Sequence, residues 1–123
     1  RAGEFYQGVL DRKMSVNDNG AWFDLLLEKI LAGEPLAEAD LRRQWSEMTL
    51  LKLANAVYAR HGKDFDNPDL DAFFYGPREQ LVAGLPLTKT APATISLTEV
   101  DQRNLTRIEA ARNRPEAKKS YGL

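Results

Sequence analysis

Cysteine is absent from this 123-residue chain. Its absence removes disulfides, thiolate metal sites and cysteine nucleophiles together, and leaves the redox compartment undetermined. Histidine occurs once, at His61, so Ser15, Ser46, Ser96 and Ser120 share a single candidate base, and none of them sits in a Gly-x-Ser-x-Gly setting. No apolar run approaches the ~20 residues of a membrane span, and no charged segment leads into the apolar core of an export signal. Charge of one sign is also missing: 17 basic and 18 acidic residues leave a net charge of −1, so no global field favours nucleic acid or an anionic membrane. What remains is a chain 43% hydrophobic, which suits one domain able to bury a core without staples.

The apolar spacing is that of helices joined by short turns. Phe5, Val9, Leu10 and Met14 predict a short first helix, and Asn17-Asp18-Asn19-Gly20 a turn, with a hairpin around that turn as the competing reading. Phe23, Leu26, Leu27, Ile30 and Leu31 fall at i, i+3, i+4, i+7 and i+8, and Gly33 supplies a left-handed stop. Leu36 to Trp45 reads as a short helical segment. Ser46 caps a central helix running from Glu47 to His61, with Gly62 at its C′ position. Asn67-Pro68-Asp69 opens another helix that reaches about Tyr75, since Asn caps, Pro fits the first helical position and an acid meets the positive dipole end. Residues 76–96 contain Gly84, Pro77, Pro86 and Pro92 and form a long irregular excursion, suspect as a contact surface. Thr98 with Asp101, or Ser96 with Glu99, makes a capping box for a last helix ending near Asn113, before Pro115.

On a wheel of about 100° per residue, Leu50, Leu53, Ala54, Val57 and Tyr58 lie within roughly 160°, and His61 falls near the middle of that arc. A lone histidine facing the core is read as a satisfied structural residue, its ring N–H given to an orphan carbonyl of the last turn. Arg60, at the edge of the arc, is expected half exposed, offsetting the helix dipole. In the last helix Val100, Leu105, Ile108 and Ala111 share a face, and Asn104 points into it. Asn55 is a third polar residue, on the rim of the central arc. Mid-helix asparagines are intrinsically disfavoured, so each implies a specific hydrogen bond, and one inward polar network joining these residues is the preferred reading over an active site.

Other chemistries fail to assemble. Asp64, Asp66, Asp69 and Asp71 alternate as in a calcium loop, but Asp69 stands where an EF-hand needs Gly and Tyr75 where it needs Glu. Phosphate loops, Gly-x-Gly-x-x-Gly and HExxH are all absent. Arg103, Arg107, Arg112, Arg114, Lys118 and Lys119 make the C-terminal end locally basic, with no aromatic interleaved until Tyr121. A solvated face or tail is the reading adopted there. Phe73, Phe74 and Tyr75 cannot all face inward on one helix, so Phe74 or Tyr75 is expected to mark a partner surface.

Leu50 to Gly62, ending in Tyr58-Ala59-Arg60-His61-Gly62, resembles the bacterial YARHG domain, a small module named after that pentad. Leu51 and Asn55 stand at its expected approach positions, Phe65, Leu70 and Phe73 continue its pattern, and Leu97 to Ile108 resembles its closing segment. The likeness covers residues 36–110. It departs from the pattern at Ala54, where Arg is usual, and in 76–96, which is longer and lacks a frequent Trp-Tyr pair. The resemblance implies an extracellular or periplasmic setting, in lipoproteins or beside peptidase domains, and implies no particular chemistry.

Taken together, these readings predict an all-α compact bundle of four to five short helices with one long irregular loop, 76–96. The expected organisation is an N-terminal helical segment over 1–35, a YARHG-like domain over 36–113 and a flexible tail over 114–123. Because the chain opens on Arg1 rather than Met, it is expected to be a mature or excised fragment, with any export signal outside it. The expected function is a non-catalytic interaction or structural module of the cell envelope, without cofactor or metal, binding a protein or other envelope component and no nucleic acid. The alternative is an enzyme, a hydrolase or peptidase accessory, using His61 with a nearby carboxylate.

Overall fold

The structure is a computed structural model that describes residues 19–43, 45–77 and 84–114. Four α-helices and one short 3-10 turn make up the regular structure among these residues, with no strand, so the all-α expectation holds. The helices are α1 (Asn19–Leu31), α2 (Glu47–Ala59), α3 (Pro68–Tyr75) and α4 (Glu99–Arg112), and the 3-10 turn is Glu38–Leu41. The helix predicted around Phe5–Met14 lies outside the described residues, as do residues 115–123 of the expected tail.

Three of the helix starts and two of the stops have a legible reason. Ser46 Oγ accepts from the Thr49 amide at 3.0 Å, and Asn67 Oδ1 accepts from the Asp69 and Leu70 amides, each satisfying donors that have no partner inside the helix. Thr98 and Asp101 form the predicted capping box: the Asp101 amide donates to Thr98 Oγ1 at 3.0 Å and the Thr98 amide to Asp101 Oδ2 at 2.9 Å. At the other end, α1 and α2 both leave through Schellman turns. Gly33 (φ +75°) follows α1, its amide donating to Ile30 O at 2.9 Å and that of Glu34 to Lys29 O at 3.0 Å. Gly62 (φ +86°) follows α2 in the same way, with Gly62 N to Ala59 O at 2.8 Å and Lys63 N to Tyr58 O at 3.4 Å.

Three boundaries differ from expectation, one of them the end of α2, which falls at Ala59 rather than His61. Asn19 and Gly20, read as half of a turn, are the first residues of α1, which sets the buried Trp22 in its first turn. Among the described residues the segment from Leu36 to Trp45 yields only the 3-10 turn, opened by Asp40, whose carboxylate accepts from the Ala37 amide at 2.9 Å and pairs with Lys29 at 3.4 Å.

The core is single. α2 packs between α1 and α4, burying Leu50, Leu53 and Val57 completely, while α1 contributes Leu26, Leu27 and Ile30 and α4 contributes Ile108. Burying each such side chain stabilises the fold by about 1.5–3 kcal/mol, so α2 is the element whose apolar face holds the bundle together. Truncating Leu53 to alanine would cost about 2–5 kcal/mol.

α3 withdraws Phe74 from the expected partner surface. Phe74 is completely buried, stacked on Phe65 at 5.7 Å and edge-on to Phe73 at 4.8 Å. Tyr75 is half-buried and its hydroxyl donates to Lys63 O at 2.6 Å. A helix with one covered side cannot bury three consecutive aromatics, but α3 is covered on two sides. The core covers one side, and the returning segment covers another, with the Leu87 amide donating to Phe74 O at 2.8 Å and Leu85 buried. The described part of the long loop, residues 84–96, is irregular as expected yet fastened down. The Ala91 amide donates to Gly62 O at 2.8 Å, and Lys89 pairs with Asp64 at 2.9 Å and Asp71 at 2.8 Å.

Candidate functional site

Arg60 and His61 of the pentad meet α4 through Asp101. This carboxylate is 1% exposed and sits in the first turn of α4, opposite the end of α2. Its Oδ1 accepts from Arg60 Nε at 2.9 Å, and its Oδ2 is 2.6 Å from His61 Nε2 and 2.9 Å from the Thr98 amide. Burial alone would raise the Asp101 carboxyl, but the Arg60, Thr98 and His61 hydrogen bonds outweigh it and hold it at about 2, so it is ionised at neutral pH. An ionised carboxylate only accepts, which places the proton of the imidazole on Nε2.

His61 is therefore not in the interior of the core. The α-helix ends at Ala59, and the Schellman turn carries His61 to the rim, with its side chain 22% exposed and its ring committed to a carboxylate rather than to an orphan carbonyl. Extending the wheel two residues past the last helical one produced the wrong orientation. Arg60 is half-buried at 20% exposure, and its guanidinium lies over Gly33, where a Cβ would meet Nη2 at 3.1 Å. Tyr58 is half-buried, with Lys63 Nζ 4.9 Å from its ring centroid. Gly62 is packed so closely that a Cβ there would come within 2.0 Å of Thr90 Oγ1.

Asn104 is buried one turn further along α4, where it bridges a different pair of partners. Its Oδ1 accepts from the Leu36 amide at 2.8 Å and its Nδ2 donates to Glu34 O at 3.0 Å, tying the link after α1 to α4. Arg107 Nη1 adds a bond to Leu36 O at 2.9 Å. The single network expected for His61 and Asn104 is thus two separate anchors on one helix, since neither residue shares a hydrogen-bond partner with the other. Asn55 is half-buried on α2 and takes no part in either anchor.

Asp101 is the residue that sequence reasoning undervalued, treating it as a cap only. The signal was present: it lies seven residues before Ile108 and three before Asn104, so rotation by about 100° per residue puts it on the same inward face. Chemically the cluster supplies a tautomer-fixed imidazole on a buried carboxylate. Among the described residues no group of three or more His, Asp or Glu side chains is placed to hold a metal ion, and no helix is long and apolar enough to cross a membrane.

No family model matches this chain, and no curated protein or solved structure matches it.

Proposed function

We propose that this chain is a non-catalytic interaction or structural module of a bacterial cell-envelope or exported protein, of the YARHG type. The observation that carries this reading is the saturation of Asp101. Its two oxygens receive three donors, from Arg60, His61 and the Thr98 amide, so Arg60 and His61 are spent on fastening the end of α2 to the start of α4. A histidine base activates a nucleophile bonded to it, whereas among the described residues the His61 ring is hydrogen-bonded to Asp101 and to no serine or threonine hydroxyl. The likeness of Leu50 to Gly62 supplies the extracellular or periplasmic setting. The contact surface of such a module is sought on exposed backbone, and residues 88–94 offer it, held by Lys89 and Ala91.

The experiment has two arms. His61→Ala should lose about 1–3 kcal/mol of stability, because it strips a donor from a buried carboxylate. Capture of envelope proteins from a bacterial extract should survive that change at temperatures where the variant is folded, and fall when residues 88–94 are replaced by a Gly-Ser linker. A fully stable His61→Ala protein would remove the structural role of the ring.

The enzymatic reading keeps one specific observation in its favour, the 2.6 Å His61–Asp101 pair with a partly exposed ring, the arrangement by which a carboxylate orients a histidine base. It requires His61→Ala to abolish a hydrolytic activity that His61→Gln does not restore, with the fold intact.

A further inference from the structure

The groove between α4 and the 3-10 turn carries a feature that the pentad does not use. Arg107 and Arg114 stand seven residues apart, about 10 Å along the helix direction, and between them lies a hollow of about 310 Å³ floored by Leu41, Ala110 and Ala111. Both guanidiniums are held in place by backbone carbonyls. Arg107 donates to Leu36 O at 2.9 Å, and Arg114 to Leu41 O. Neither has a carboxylate partner among the described residues, unlike Arg42, which pairs with Glu38 at 3.3 Å, and Arg103, which pairs with Glu99 at 2.6 Å. Each guanidinium carries five N–H donors and spends only one or two on carbonyls, so fixed donors remain for an incoming anion.

We propose that this hollow binds an acidic peptide segment of a partner protein, with two carboxylates about two helical turns apart on Arg107 and Arg114 and an apolar side chain between them over Leu41 and Ala110. The inference rests on the interaction-module reading and names the chemistry of its partner. Charge complementarity selects the occupant. Glu38 and Arg42, which also line the groove, pair with each other at 3.3 Å and leave Arg107 and Arg114 as its two unbalanced charges, too few and too far apart for a run of phosphates, and no aromatic platform lines it for stacking. An apolar floor between two separated cations matches carboxylates flanking a leucine, which is the helix-in-groove mode of recognition.

The probe is a fluorescein-labelled helical peptide with glutamates at i and i+7 and leucines at i+3 and i+4, titrated by anisotropy onto the intact chain. Saturable binding that weakens about tenfold or more when the glutamates become glutamines, and weakens with added salt, is the expected result. Ala110→Glu places a carboxylate between the two arginines at an exposed helical position and should abolish binding without unfolding the protein. Ala110→Lys fills the same space with the opposite charge and should weaken binding much less. Equal binding of the glutamine peptide, or an unaffected Ala110→Glu protein, overturns the proposal, as does binding of phosphatidylglycerol vesicles but not the peptide. Such a failure leaves the module reading to its own capture experiment, which depends on residues 88–94 and not on α4.

Discussion

Replacing Asp101 with asparagine removes one charge from a position where almost every atom is spoken for. At neutral pH the carboxylate accepts from Arg60, His61 and the Thr98 amide while 1% exposed. An asparagine keeps one acceptor oxygen but turns an NH₂ toward either Arg60 Nε–H or the pair His61 Nε2–H and Thr98 N–H, so donor faces donor whichever way the amide lies. Removing one partner of a buried pair in this way costs about 3–5 kcal/mol. The charge itself accounts for part of that. The carboxyl titrates at about 2 rather than the ordinary 3.8, worth about 2 kcal/mol. Because the folded-state value is depressed, the contribution is fully present above 3.8 and is lost as pH falls through about 2. Urea unfolding of wild type and Asp101→Asn at pH 7, 5, 4, 3 and 2 measures it. The difference between the two proteins should stay constant from pH 7 to 5 and narrow by about 2 kcal/mol towards pH 2. A difference below about 0.5 kcal/mol at pH 7, or one that ignores pH, would refute the assignment of Asp101 as the fastening charge.

Double-mutant cycles separate the two anchors. His61→Ala and Asp101→Asn should couple by about 1 kcal/mol or more, since they share a bond, while His61→Ala and Asn104→Ala should add to within about 0.5 kcal/mol. Asn104→Ala alone should cost about 2–4 kcal/mol in denaturant unfolding, because it strips a donor from Glu34 O and an acceptor from the Leu36 amide. Gly62→Ala combines a backbone at φ +86° with a Cβ 2.0 Å from Thr90 Oγ1. It should therefore destabilise the chain by more than the ~1–2 kcal/mol of left-handed strain and speed proteolysis within residues 87–91, and unchanged cleavage there would contradict the close packing of that segment.

How much of this was legible in the residues depends on range. Caps and stops were, because Ser46, Asn67-Pro68, Thr98 with Asp101, Gly33 and Gly62 act on their own neighbours and need no tertiary context. Most of the inward face of α2 was legible for the same reason, since Leu50, Leu53, Ala54 and Val57 repeat with the helix and are buried, whereas Tyr58, at the edge of the arc, is only half-buried and Ala56 and Ala59, outside it, are buried as well. What failed lies at distances the wheel does not encode. Phe74 is covered by a segment 11–13 residues downstream, and His61 leaves the wheel where the helix becomes a Schellman turn. Asn104 was correctly aimed inward, but its partners, Glu34 and Leu36, lie some 70 residues away as backbone groups that carry no sequence signal.

One consequence follows from the composition of α4. Of its fourteen residues only Asp101, Asn104, Ile108 and Ala111 are buried, so a single large apolar side chain is wholly inside. Successive turns instead hold other segments by polar bonds: Asp101 takes the end of α2, Asn104 and Arg107 take the link at Leu36, and Arg114, just past the helix, takes Leu41 O. Hydrogen bonds fix register well but contribute about 1 kcal/mol each net, against about 1.5–3 kcal/mol for each large apolar side chain that α1 and α2 bury. The docking of α4 is therefore specific and only weakly cohesive, and its strongest single tie is the charge that acid removes. Native-state hydrogen exchange should show α4 amides opening at lower free energy than those of Leu26, Leu27, Leu50 and Leu53, with the gap widening as pH is lowered from 5 towards 3. Protection lost simultaneously in all three helices at every pH would mean that α4 is held by its packing, and that the polar anchors are incidental to it.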